Sequence, residues 1–330
     1  MSLPLLNKKI LFICPIFHNY HAAITEKLQE MGATVLFFPE REYGLSFKLI
    51  NNFAHSRLAA FQAKHYHKIL KSVENEEIDY LFVIRGYMLP QEFMEGFRKN
   101  HPGAITIMYQ WDSNRTNPFV HLIPAFDRVL SFDFEDCEVN KSVDYLPLFY
   151  TDDITHFINR SSVKEYDFFF MGWFFPERYA AVVEFKKYCE LNNYRLKAFL
   201  FIPSTSYLKE QLKGRKLDRT IVSKERMSRQ EYLQILNASR VMVDVSNPGQ
   251  TGLAMRIIES FACGTKVLTN NRRLENDSFY TPGYVDFFDD KAPSVNREFV
   301  ENAVESAKPG VLSIKEWLNL IFANQEKNCV

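Results

Sequence analysis

The chain has 330 residues, long for a single hydrophobic core and suited to two domains. Its 46% hydrophobic content lets both pack, and 40 basic residues against 40 acidic ones argue against nonspecific nucleic-acid binding while leaving room for a local basic pocket. The five scattered cysteines (Cys14, Cys137, Cys189, Cys263, Cys329) show no metal-ligand spacing and read as reduced thiols of a cytosolic protein. No apolar run reaches membrane-spanning length, and the amino end lacks the apolar core and cleavage site of a signal peptide.

Lys9 to Cys14 (KILFIC) reads as a first strand ended by Pro15, and the loop Ile16 to His21 leads into an amphipathic helix from Ala22 to Met31. Open α/β sheets place ligands at the carboxyl ends of such strands. No glycine fingerprint follows, which argues against a dinucleotide there. His18 stands as a minor candidate for acceptor contact or general base, against the plain reading of a loop histidine. Thr34 to Phe38 is a second strand, and Leu45 to Val73 is a long helical region punctuated by Asn51 and Asn52. Its His55, His65 and His67 sit among Lys, Arg and Gln and read as surface residues. Tyr80 to Ile84 is a third strand, closed by Arg85 and Gly86; Arg85 is either a turn residue or an anion or acceptor contact.

Ile105 to Tyr109 is a fourth strand, followed by the most polar strand end of this half, Gln110-Trp111-Asp112-Ser113-Asn114. Asp112 there suits either a general base or a helix N-cap, and the two readings stand level. Arg128 to Phe132 is a fifth strand; the Asp133, Glu135 and Asp136 after it read as a solvated helix start rather than a metal site. Asp144 to Leu148 is a last short strand, and the polar stretch Thr151 to Glu165 is the domain boundary.

The second half opens with a strand from Asp167 to Met171, then Gly172, then a helix from Pro176 that carries Arg178. Leu196 to Phe201 and Ile221-Val222 are further strands, and a helix spans Ser228 to Ala238. The most informative run follows. Val241, Met242, Val243 and Val245 suit a buried parallel strand, and Ser246, Asn247, Pro248 and Gly249 break it. From Thr251 the residues Leu253, Ile257, Ile258 and Phe261 recur at helical spacing up to Gly264, and Lys266 to Thr269 begins the next strand. A helix opening at Thr251 and Gly252 presents bare N–H groups that attract phosphate, with Arg256 about one turn in and Glu259 on the same face. Spacing alone favours an ordinary βαβ unit with a solvated Arg and Glu, since neither G-x-G-x-x-G nor a P-loop is present. Near the end, Asp286, Asp289 and Asp290 surround a short apolar run, and Ser313 to Asn324 is an amphipathic helix with Trp317, Leu318, Ile321 and Phe322 on its apolar side.

The segment TGLAMRIIESFACGTKVLTNN resembles the donor site of GT-B glycosyltransferases, most closely a bacterial group related to spore-maturation and surface-polysaccharide transferases. YQWDSNRTNPF and the F-F-M-G-x-x-x-x-x-R pattern ending at Arg178 extend the resemblance. It implies an α/β chain of two doubly wound Rossmann-like domains facing across a cleft: 1–150 on the acceptor side, a linker at 151–165, a donor domain at 166–312, and a helix at 313–330 packing back toward the first domain. It implies a nucleotide-sugar donor, UDP or GDP favoured, with no separate cofactor and no metal. Gly172, Arg178, Gly252 and Arg256 then lie near the phosphates, with Gln250 and Thr251 in the same small-residue loop, and Glu259 holds the ribose hydroxyls. Asp112 is the first choice for the base and His18 the second. Retaining GT-B families often carry a second Glu eight residues before the ribose Glu; this chain has Thr251 there, so the stereochemical outcome is left open. The implied acceptor is a hydroxyl of a saccharide or lipid-linked glycan in bacterial surface-polysaccharide assembly, in the cytoplasm, with peripheral contact at the inner membrane face left open. A nucleotide-sugar epimerase and a non-catalytic GT-B-like protein are the alternatives.

Overall fold

The computed structural model describes residues 4–158, 162–246, 249–276, 280–304, 308 and 310–323. Asn247 and Pro248 of the expected strand-to-helix loop, residues 159–161 of the expected linker, Asn324 of the last helix and Cys329 lie outside the described residues. The chain divides into two compact units, one of residues 1–151, 249–253 and 312–330, the other of residues 152–248 and 254–311.

The first unit holds strands β1 (Lys9–Cys14), β2 (Thr34–Pro39), β3 (Tyr80–Ile84), β4 (Ile105–Gln110), β5 (Arg128–Ser131), β6 (Asp144–Tyr145) and β7 (Phe149–Tyr150). The first six form one parallel sheet in the order β2-β1-β3-β4-β5-β6. Both faces of such a sheet are covered, which is why Ile10 to Cys14 and Leu81 to Ile84 are continuous apolar runs at 0% exposure. Helices α1 (Tyr20–Glu30), α2 (Leu45–Phe53), α3 (Leu58–Ser72), α4 (Gln91–Asn100) and α5 (Phe134–Val139) connect them. The long helical region expected from Leu45 to Val73 breaks at Ala54, whose φ of −141° and ψ of 48° are not helical. α4 buries Phe93, Met94 and Phe97 against α3, three apolar residues at helical spacing.

The second unit repeats the plan with β8 (Tyr166–Trp173), β9 (Leu196–Phe201), β10 (Val222–Ser223), β11 (Ser239–Asp244), β12 (Lys266–Thr269) and β13 (Val285–Phe287), in the parallel order β10-β9-β8-β11-β12-β13. Its helices are α6 (Pro176–Leu191), α7 (Ser204–Leu212), α8 (Arg229–Asn237), α9 (Met255–Ala262) and α10 (Arg297–Glu301). Phe168, Phe170, Phe185, Val241, Val243 and Leu268 form the centre of its core. The chain then returns to the first unit, where β14 (Leu312–Ser313) pairs with β7 and α11 (Ile314–Phe322) follows behind a Ser313–Glu316 capping box.

Three local expectations are corrected. α9 starts at Met255 rather than Thr251, with Ala254 extended at φ −66° and ψ 155° as its N-cap. His65 is buried rather than on the surface, its Nε2 2.8 Å from the Pro39 carbonyl, because α3 packs that face on the end of β2. Asp133 and Asp136 are 1% and 7% exposed rather than solvated. Asp133 does cap α5, accepting from the Asp136 N–H.

Candidate functional site

Both sheets reverse their strand order once, between β1 and β3 in the first unit and between β8 and β11 in the second. At such a point two neighbouring loops leave in opposite directions and open a crevice at the carboxyl ends of the strands. In the second unit β8 ends at Gly172 and Trp173, and β11 ends at Asp244. Arg178, in the first turn of α6, donates to the Trp173 carbonyl at 3.1 Å and lies over the Phe175 ring at 5.2 Å. A Cβ at 172 would stand 3.5 Å from Arg178 Nη1, in ordinary contact, so the guanidinium lies directly against the strand end. Burial pulls the Arg178 pKa down to about 10, helped by the like charge of Arg256 and opposed by Asp244.

Arg256, in the first turn of α9, is ion-paired to Asp244. Asp244 is 1% exposed and also accepts from Ser246 Oγ at 2.7 Å and Thr269 Oγ1 at 2.8 Å. Burial would raise its pKa, but Arg256 and the two hydroxyls outweigh that and hold it below the usual carboxylate value. The Arg256 Nε is buried without a hydrogen-bond partner. A desolvated donor left open is costly unless an acceptor arrives. Two arginines therefore stand at the switch point, each within reach of the other's charge: Arg256 is paired with Asp244, and Arg178 has no acidic partner at ion-pair distance among the described residues.

Glu259 has a partner of its own. It is 2% exposed and accepts from Arg229 Nη1 at 2.7 Å, while Arg229 Nε also reaches Asp153 at 2.8 Å. Burial raises the Glu259 pKa, with Arg229 and Tyr232 working against it. The bland expectation of a solvated Glu beside Arg256 is corrected: each residue of that pair has its own buried partner.

Gln250, Thr251 and Gly252 belong to the first unit. The N–H groups expected to stand bare are taken by one carboxylate: Asp133 accepts from Thr251 N at 2.6 Å, Thr251 Oγ1 at 2.7 Å and Gly252 N at 3.2 Å. Gly252 is glycine for a different reason than a helix opening, since a Cβ there would lie 2.3 Å from the Phe132 carbonyl oxygen. Gln250 Nε2 lies 3.5 Å from Asp112 Oδ1.

Asp112 follows β4 and no helix starts at it, which removes the N-cap reading. It accepts from Arg85 Nη1 at 3.3 Å. Arg85 leaves β3 in the left-handed region at φ 69°, unusual for a residue with a side chain, and its carbonyl is pinned by Gln110 at 2.9 Å and Asn117 at 3.1 Å. Its guanidinium is gripped by Glu40, fully buried at the end of β2, which also accepts from the Tyr87 N–H at 3.1 Å. Burial raises the Glu40 pKa and would lower that of Arg85, but the pairing prevails and Arg85 is raised. His18 follows β1, exposed, at φ 47°, against the Phe17 ring at 4.4 Å; Phe17 in turn meets Trp111 at 6.5 Å.

Glu40, Asp133, Asp244 and Arg229 carry this arrangement and were not singled out as site residues in the sequence. A signal exists for the acids. Each is the first carboxylate after, or the last residue of, a parallel strand whose middle is apolar. Asp289 accepts from the Lys291 N–H at 2.7 Å in a local turn, and the described residues contain no group of three His, Cys, Asp or Glu placed to hold a metal.

Residues 197–307 match the family described as Glycosyl transferase-like. No curated protein matches the chain in sequence. Among solved structures, MurG of Acinetobacter baumannii is similar at a TM-score of 0.54 and 10% identity, covering 95% of this chain and 98% of that one. The UDP-GlcNAc 2-epimerase of Methanocaldococcus jannaschii, solved with UDP-GlcNAc and UDP, gives 0.54 and 11%, over 95% and 98%. The sucrose-phosphate synthase of Thermosynechococcus elongatus gives 0.55 and 12%, over 87% and 88%. The chain is a GT-B fold protein that carries, over residues 197–307, a glycosyl transferase-like segment.

Proposed function

We propose that the chain transfers a sugar from a nucleotide-sugar donor to a hydroxyl of a saccharide or lipid-linked glycan, in bacterial surface-polysaccharide assembly on the cytoplasmic side of the membrane. The observation that carries this reading is the placement of Arg178 and Arg256 at the β8/β11 switch point, where Arg256 is paired with Asp244 and Arg178 has no acidic partner at ion-pair distance among the described residues. Such a pair supplies fixed positive charge for a leaving nucleoside diphosphate, and preorganised charge in a partly dry site stabilises the transition state without reorganisation. In this reading the arginines take the place of a metal ion, and turnover survives EDTA. Glu259 takes the ribose hydroxyls, a task that suits a group whose two oxygens only accept. Asp112 is the candidate base, set by an Arg85 that Glu40 holds still; His18 is the alternate.

The test is a thermal-shift panel of UDP, GDP, CMP and dTDP, since a ligand that binds only the folded state raises its melting temperature. One nucleoside diphosphate should stabilise the wild type, and Arg178→Gln should lose most of that shift while melting normally alone. Equal shifts in both proteins would remove Arg178 from the phosphate site. The likeness to the UDP-GlcNAc 2-epimerase supports a second reading, in which the donor is itself the substrate. Incubation with donor alone separates the two: an epimer appears only in the second.

A further inference from the structure

Helix α2 is apolar on the side that faces away from the protein. Phe47 is its buried residue, yet Leu45, Leu49 and Phe53 are 77%, 59% and 83% exposed. At about 100° per residue these three fall within about 80° of arc, and Phe47 lies about 160° from the middle of that arc. The outward stripe is therefore not the edge of a core-facing surface. Ile16 and Tyr43 extend it: both are exposed, and the Tyr43 hydroxyl accepts from the Ile16 N–H at 2.7 Å.

The charge along this stretch of the chain is one-sided. The chain as a whole is balanced, but between Glu42 and Glu74 there is no Asp or Glu, while Lys48, Arg57, Lys64, Lys68 and Lys71 all fall there. All five are exposed. Lys68 is paired with Glu42 at 3.0 Å, and the other four have no acidic partner at ion-pair distance among the described residues. Exposed leucine and phenylalanine in water gain nothing, and a basic rim in a neutral protein repels a second copy bearing the same rim. An anionic bilayer satisfies both features, taking the apolar side chains below its headgroups and the ammonium and guanidinium groups among its phosphates. We infer that α2 and the start of α3 form a membrane-surface docking site of the first unit, with an anionic lipid bilayer as its partner. The contact is interfacial, since no helix among the described residues is long and apolar enough to cross a membrane. The inference stands independently of the sugar-transfer reading.

Co-sedimentation of the full chain with vesicles tests it, using phosphatidylcholine alone and phosphatidylcholine mixed with phosphatidylglycerol. Wild type should pellet with the mixed vesicles and far less with the neutral ones. Leu49→Gln with Phe53→Gln should lower partitioning at least about tenfold, the scale of two large apolar side chains kept in water. Lys48→Gln, Arg57→Gln and Lys64→Gln should lower it roughly fivefold for each charge removed on the mixed vesicles, and leave neutral vesicles unaffected. All five positions are exposed, so the variants should melt with the wild type. Wild type that stays in the supernatant with mixed vesicles overturns the inference, as does a double variant that binds like wild type. Light scattering without lipid covers the remaining occupant: a dimer that Leu49→Gln with Phe53→Gln dissolves would assign the stripe to a second copy of this chain and overturn the lipid.

Discussion

A carboxyl group buried beside other carboxylates resists ionisation, and Asp136 is in that position. It is 7% exposed, and its pKa is pushed up to about 6 by burial first, then by Asp133 and Glu135, with the Asn114 N–H at 2.8 Å working the other way. Below the unfolded value of 3.8 both states are protonated and the group contributes nothing. As pH rises from there the unfolded chain releases the proton while the folded one keeps it, so stability falls through that window. The loss is complete above about pH 6 and is at most about 3 kcal/mol. Asp136→Asn keeps an oxygen for the Asn114 N–H and removes the titration. It should stabilise the protein by about 1–2 kcal/mol at pH 8 and leave pH 3.5 nearly unchanged. Urea denaturation at the two values checks this; a variant weaker than wild type at pH 8 would show that the charge itself is wanted there. Neighbouring acids in the sequence carried the cluster but not its burial. Exposure is set by what packs over a residue, and the loop over Asp133 comes from more than a hundred positions away in the chain.

At the scale of elements, alternating apolar runs and amphipathic stretches made both sheets readable, because buried parallel strands and one-sided helices have distinct periods. Starts and ends were less legible where a tertiary contact competes with the local pattern. Thr251 and Gly252 look like a helix opening, but Asp133 takes their N–H groups and Gly252 lies against the Phe132 backbone, so α9 begins at Met255. Glycine announces that something approaches closely without saying what. The Asp133 carboxylate is thus the anchor of the Gly249–Leu253 segment as well as the cap of α5. Asp133→Ala removes the acceptor of the buried Thr251 N–H, of the half-buried Gly252 N–H and of the α5 cap, at about 1–3 kcal/mol for each fully buried donor left unpaired and less for the others. We expect a total destabilisation of about 2–4 kcal/mol. We also expect amide exchange at Thr251 and Gly252 to quicken at least about tenfold, with β8 and β11 unaffected. Unchanged exchange at those two amides would mean that the loop is held by something other than Asp133.

For the molecule as a whole, the sequence order of the elements is not their order in space. The first unit is completed by residues that follow the entire second unit: β14 pairs with β7, and α11 lays Trp317 into the first core. The apolar side of α11 was plain from Trp317, Leu318, Ile321 and Phe322, because amphipathic spacing is local information. Which core receives that face depends on pairing partners more than 150 positions apart, and periodicity does not report it. Trp317 is fully buried, with ring centroids 4.2 Å from Phe149, 4.8 Å from Tyr109 and 6.2 Å from Phe82. It therefore touches β7, β4 and β3 at once. Removing a large aromatic from such a place forfeits its transfer energy and leaves a cavity, about 3–5 kcal/mol together. Trp317→Ala should cost that amount, and the loss should be local to one unit. Native-state hydrogen exchange on the variant should show β1, β3 and β4 opening more readily, while β8, β9 and β11 keep wild-type protection. Leu320→Ala, at a half-exposed position on the same helix, serves as the control and should change little. If Trp317→Ala weakens all six strands equally, the two units unfold as one, and the last helix belongs to a single cooperative structure rather than to the first unit alone.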